Sequence, residues 1–142
     1  MITKFGIHLK VQNINKSFKF YNSFGLKPCF AYGRKKFISK FKNKIPTVSE
    51  NYNGIVFDIS GSLLEIADGH IAVKQGIFKE NIKSSKISAM IYVSSIRWVL
   101  NICNKNKYKI SVLPKTYPWG TKEMVIKDPD GFVLVFIEKL SK

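Results

Sequence analysis

Apolar and polar residues alternate along residues 5–12. Phe5, Ile7, Leu9 and Val11 fall on one side of an extended chain, and Gly6, His8, Lys10 and Gln12 fall on the other. A two-residue period of this kind is the mark of a half-buried strand. The period then lengthens. Phe18, Tyr21 and Phe24 recur every three residues, an apolar stripe over about two helical turns. Asn13 or Asn15 is placed to cap the start of this helix and Gly25 to end it. Leu26 to Gly33 reads as a second strand with Pro28 at its entrance. Gly54 to Ser60 reads as a third strand, and after a Gly61-Ser62 turn Leu63-Leu64-Glu65-Ile66 begins a fourth.

This βαβββ order recurs further on. Ser88 to Val93 is a strand, and Ser94 or Ser95 caps a helix carrying Ile96, Val99, Leu100 and Cys103. Tyr108 to Leu113 is a strand, residues 114–120 form a loop, and Lys122 to Lys127 and Phe132 to Lys139 are strands. The last two flank an Asp128-Pro129-Asp130-Gly131 turn, in which Pro presets φ and Gly admits positive φ. Ile7-His8-Leu9-Lys10-Val11 sits against Ala89-Met90-Ile91-Tyr92-Val93, and Gly61 to Glu65 sits against Gly131 to Val135. The pattern predicts an α+β fold of two tandem βαβββ modules. One domain spans 1–142, with module 1 at about 3–68, a linker at 69–85 and module 2 at about 86–140. The first module is about twelve residues longer than the second.

Most of the extra length is basic. Arg34-Lys35-Lys36-Phe37-Ile38-Ser39-Lys40-Phe41-Lys42-Asn43-Lys44 carries six cations and no acid. Lys40, Lys42 and Lys44 would share one face of a strand, which makes a lysine-decorated edge strand the expectation. An anionic ligand crossing that strand is the sharper alternative. The whole chain carries a net charge of +15, yet 22 of its 24 basic residues are lysine. Readers of guanine and of phosphate forks favour arginine. Lys, Ile and Asn together make up 50 of 142 residues, the bias that AT-rich codons give. Nucleic acid is therefore not the expected partner, and polyanion binding through 34–44 stays a third reading.

With 45% apolar residues the chain can fill a core, which excludes a disordered or fibrous class. No apolar run approaches the ~18 residues needed to cross a bilayer, and the start shows no signal-peptide pattern. Cys29 and Cys103 match no redox or zinc spacing. Both are expected to be small buried hydrophobes in a reducing cytoplasm. Trp98 is expected in the core or at a helix interface, and Trp119 as a loop anchor.

The opening stretch from Ile7-His8-Leu9 through Phe20-Tyr21 and Phe24-Gly25-Leu26 resembles the first module of the vicinal oxygen chelate superfamily. The closing stretch, Pro118-Trp119-Gly120 with Val125-Ile126-Lys127-Asp128-Pro129-Asp130-Gly131-Phe132, is similar to its last hairpin. That superfamily includes glyoxalase I, extradiol dioxygenases, and fosfomycin- and bleomycin-resistance proteins. The resemblance implies curved mixed sheets around a shared cup, small-molecule ligands and frequent homodimers. It also implies four ligand positions for a divalent metal, on the first and last strands of each module. Residue by residue these are His8, Glu65, Met90 and Val135. A thioether and an isopropyl group do not replace imidazole and carboxylate for such an ion. Glu138 falls on the opposite strand face from Val135, and His70 falls in the linker.

No metal is therefore expected, and if there is one, His8 and Glu65 hold it. Strand alternation makes His8, Lys10, Leu63, Glu65, Met90, Tyr92, Val133 and Val135 the expected ligand-binding lining, apolar and aromatic with few polar groups. The His8–Glu65 pair is open to three readings: a satisfied structural pair, a donor–acceptor pair for a ligand, or a metal-free base with Glu65 supporting His8. The leading expectation is a binding protein for a neutral or anionic organic molecule. The alternative is a metal-dependent lyase, isomerase or dioxygenase of the glyoxalase type.

Overall fold

The first alternating stretch forms β1 (Gly6–Lys10), and the stripe after it forms α1 (Ile14–Ser23). A computed structural model describes residues 1–141 of the chain, in two compact units, Met1–Glu80 and a second from Asn81. In the first unit β2 (Pro28–Gly33) leads into a short α2 (Lys35–Ile38), a 3-10 turn at Ser39–Phe41 and β3 (Thr47–Ser49). β4 (Gly54–Ile59) and β5 (Ser62–Ala67) close it, followed by a 3-10 turn at Gln75–Lys79. The five strands lie in the order β1-β5-β4-β2-β3, with β1 parallel to β5 and β2 parallel to β3. Leu9, Ile66, Ile55 and Ala31 line up across four of the strands and are all buried. Helix α1 covers this face. Its Phe18 and Tyr21 rings pack on Phe57, with centroids 6.2 Å away in both cases. Burying rings of this size contributes roughly 1.5–3 kcal/mol each.

The second unit runs β6 (Ser88–Tyr92), α3 (Ile96–Asn106), β7 (Ile110–Tyr117), β8 (Thr121–Lys127) and β9 (Val133–Lys139). Its sheet order is β6-β9-β8-β7, again with the first and last strands parallel. Phe132, Leu134 and Phe136 form the core with Met124 and Ile126, and α3 contributes Ile96, Val99 and Cys103.

The duplication extends to atomic detail. The Asn13 side chain accepts from Lys16 N at the start of α1, and the Ser95 side chain accepts from Trp98 N at the start of α3. Each cap satisfies an otherwise orphaned N–H of the first turn. After α1, Gly25 has φ 82°, and Lys107 holds the matching place after α3 with φ 59°. Asp58 Oδ1 accepts from Gly61 N in one hairpin turn, and Asp128 Oδ1 accepts from Asp130 N and Phe132 N in the other.

Four expectations are corrected. The basic segment is helical where an edge strand was expected, because Phe37 and Phe41, four residues apart, are the positions that bury, with ring centroids 5.7 Å apart. That apolar spacing outweighs the alternation of Lys40, Lys42 and Lys44. β7 runs on to Tyr117, through the expected loop. Pro114 is tolerated because β7 is an edge strand whose register shifts between Val112 and Lys115. Cys29 is exposed, since the register of β2 on β4 slips between Pro28 and Phe30 and leaves it as the extra residue of a bulge. Trp98 is 43% exposed on the outer side of α3, away from the buried Val99 and Cys103.

Candidate functional site

On the face of the first sheet opposite α1, His8 of β1 is the register partner of Glu65 of β5. Parallel pairing places their side chains side by side, with His8 Nε2 3.1 Å from Glu65 Oε2. Lys10 and Leu63 belong to the same face by alternation. The next rung is Lys10–Ala67–Gly54–Tyr32. A side chain at Gly54 would occupy the space of the Tyr32 ring. The missing Cβ therefore lets Tyr32 fold across β4 and donate its hydroxyl proton to Glu65 Oε2 at 2.9 Å. Tyr52, from the β3–β4 loop, meets Tyr32 edge-on at 5.9 Å between centroids. A second glycine makes room for it: a Cβ on Gly69 would lie 2.5 Å from Tyr52 Cβ. His70 follows at once, its ring 6.3 Å from Tyr52 and 5.7 Å from His8. The contacts close a circuit of five side chains from five separate segments around the Glu65 carboxyl.

Burial lowers the pKa of the His8 imidazole from its ordinary value. The Glu65 carboxyl pulls the other way, and Lys10 and His70 add to the lowering. At neutral pH the ring is uncharged, so its contact with Glu65 is not an ion pair. Nor is it a hydrogen bond. Nε2 is shielded from solvent and has no hydrogen-bond partner despite the 3.1 Å approach. It is the single such side-chain atom among the described residues. Buried polar atoms without partners cost about 1–3 kcal/mol and concentrate where function demands them. Tyr32 is held far above the usual phenol range, first by burial and then by its bond to Glu65. It therefore stays protonated and serves as a fixed donor. His70 Nδ1 accepts from Ala72 N at 3.0 Å, which places its own proton on Nε2.

Of the residues expected at the site, His8, Lys10, Leu63 and Glu65 share one face of the first sheet. In the second sheet, Met90 is the register partner of Val135, and Val133 and Tyr92 flank them on the same face. Met90 is 68% exposed and Tyr92 59%, while Val133 is buried. Glu138 accepts from Ile96 N at 2.7 Å, so it faces the start of α3. Tyr32, Tyr52 and the placing of His70 beside His8 were not foreseen. Two glycines paired with tyrosines across strands or loops were the available signal, and only register discloses such pairs.

A resident divalent ion needs at least three nitrogen, oxygen or sulfur ligands from the protein. His8 and Glu65 supply two. Tyr32 is committed as a donor, and His70 stands edge-on to His8 with its Nδ1 already accepting. Among the described residues, no group of three or more His, Cys, Asp or Glu side chains is placed to hold an ion. This donor set does not fit the metal that the family resemblance implies.

A duplicated βαβββ chain whose first module pairs His8 with Glu65 across its parallel first and last strands has the arrangement of a glyoxalase-type fold. The chain belongs to the Glyoxalase/Bleomycin resistance protein/Dioxygenase superfamily, whose family model matches residues 6–136. Among solved structures it is similar to glyoxalase I from Zea mays, with a TM-score of 0.70 and 17% identity over 98% of this chain and 45% of that one. It is also similar to a mutant of the fosfomycin resistance protein FosX from Listeria monocytogenes, solved with Mn(II) and 1S,2S-dihydroxypropylphosphonic acid. There the TM-score is 0.66 at 15% identity, over 100% of this chain and 95% of that one. A glyoxalase/bleomycin resistance protein/dioxygenase from Nocardioides gives 0.64 at 15% identity, over 99% and 85%. At these identities the likeness shows the fold alone. No curated protein matches the chain significantly. Among the described residues, no helix is long and apolar enough to cross a membrane.

Proposed function

We propose that this protein binds a small neutral or anionic organic molecule on the His8–Glu65–Tyr32 face of its first sheet, without a resident metal ion. The observation that carries the reading is the buried, unpartnered Nε2 of His8 beside a carboxyl held in place by Tyr32. A ligand hydroxyl or N–H reaching this pair relieves a polar mismatch that the protein alone leaves standing. Lys10 on the same face and the net charge of +15 favour an anionic over a cationic ligand. The two-donor set, and the apolar Met90–Val135 pair at the equivalent register of the second sheet, support metal independence. The reading extends to a homodimer acting in the cytoplasm; light scattering checks the pairing.

The test is calorimetry and thermal shift on chelator-treated protein with a panel of aromatic alcohols, carboxylates and phosphonates. Stabilisation that survives chelation and is lost in Glu65→Gln and His8→Ala supports the proposal. Stabilisation or turnover that requires added Mn(II), Ni(II) or Zn(II) overturns it in favour of a metal-dependent lyase, isomerase or dioxygenase. Ligand binding that both variants retain overturns it as well.

A further inference from the structure

Next to the circuit around Glu65, with which it shares only Tyr52, the first unit holds a cleft of about 160 Å³, lined by Arg34, Asn51, Tyr52, Asn53, Asp68 and Gln75. At ~30 Å³ per water this is room for roughly five waters, or for one carboxylate or phosphate group. We propose that the cleft is an oxyanion site in which the Arg34 guanidinium grips a carboxylate or phosphate group of a small molecule.

The wall is built before any ligand arrives. Asn53 donates its backbone N–H and its Nδ2 to the two oxygens of Asp68, at 2.7 and 3.0 Å, and accepts from Arg34 N at 3.0 Å. Asp68, the lone acid of the lining, is thus engaged by Asn53 through both oxygens. Gly33 makes the junction possible, since a Cβ there would overlap Asn53 Oδ1. Arg34 Nε donates to Asn51 O at 3.0 Å, which holds the plane of the guanidinium. Its two terminal amino groups have no protein acceptor among the described residues, and no carboxylate lies within ion-pair distance of them. Among the described residues, the side-chain amide of Gln75 and the Tyr52 hydroxyl find no hydrogen-bond partner either. The lining therefore holds surplus donors and an acid already in use. A planar, pre-oriented fork suits a carboxylate or phosphate, and a lysine does not reproduce it. Arg34 is one of only two arginines among 24 basic residues. The site is distinct from polyanion binding by the exposed lysines that follow it, and it stands independently of the reading given for His8 and Glu65.

The experiment is an amide NMR titration with inorganic phosphate and, separately, acetate, at fixed ionic strength. Saturable shifts centred on Asn51, Asn53 and Gln75 are expected. Arg34→Lys, which keeps the charge, weakens binding by at least about tenfold, whereas Lys36→Gln leaves it within twofold. The phosphate and acetate arms decide which oxyanion the cleft prefers. Equal affinity in Arg34→Lys and wild type overturns the proposal, as do non-saturating shifts spread over the lysine-rich surface. Should Arg34→Lys fail to fold, Gln75→Ala, at an exposed position, is expected to weaken binding measurably, and unchanged affinity there counts against the site.

Discussion

Replacing Gly54 by alanine tests the architecture of the site directly. Gly54 lies in ordinary extended backbone, so alanine meets no conformational strain there; what it meets is the Tyr32 ring, nearest Cζ and the hydroxyl. Two costs follow. Forcing a side chain into filled space costs about 1–3 kcal/mol. Displacing the ring also breaks the bond from Tyr32 to Glu65, which at this half-buried position is worth about 1.5 kcal/mol. The expected destabilisation is about 3 kcal/mol, a fall of roughly 1–3 M in the urea midpoint. In a Tyr32→Ala background both costs vanish. Gly54→Ala then becomes neutral, or favourable by up to about 1 kcal/mol, through the stiffer unfolded chain. A double-mutant cycle by urea unfolding should therefore give a coupling near 3–4 kcal/mol. If Gly54→Ala costs the same in both backgrounds, the glycine does not serve the tyrosine and the account of the site fails.

Two more predictions follow from the capping and the titration. Lys107 ends α3 in the left-handed region, where its matched residue is Gly25. Lys107→Gly should raise stability by about 0.5–1 kcal/mol in urea unfolding, and a loss would refute the cap assignment. His8 titrates below its ordinary value in the folded state, so between the two values the unfolded chain binds more protons. Stability from this group is complete above the ordinary imidazole value, near pH ~6.5, and is lost as pH falls through the folded value. Wild type should lose more stability than His8→Gln between about pH 7 and about pH 5. Parallel curves would show that burial does not dominate over Glu65 at this ring.

Eight of the nine strands among the described residues, the helices α1 and α3 and the repeat were legible because burial imposes a period and the chain obeys it twice, whereas the three-residue β3 is too short to show one. His8 and Glu65 were legible for the same reason, since alternation assigns a face. The basic segment was misread because its lysines alternate while its phenylalanines follow a helix, and the phenylalanines carry the burial energy. Tyr32, Tyr52 and His70 were out of reach. Their meeting depends on which residue sits opposite which, on a glycine under each tyrosine and on a loop returning to β1, none of which has a period. The cleft at Arg34 depends on one asparagine bridging segments that composition describes only as polar.

The register that pairs Met90 with Val135 occupies the same rung as the one that pairs His8 with Glu65. Both rungs lie on the side of their sheets away from the residues that hold α1 and α3. A backbone plan used twice can thus keep its geometry while one copy exchanges its reactive groups for inert ones. Chemistry in such a chain is a detachable fitting, open to loss or reinstatement by two codon changes that leave the residues packed beneath the helices untouched.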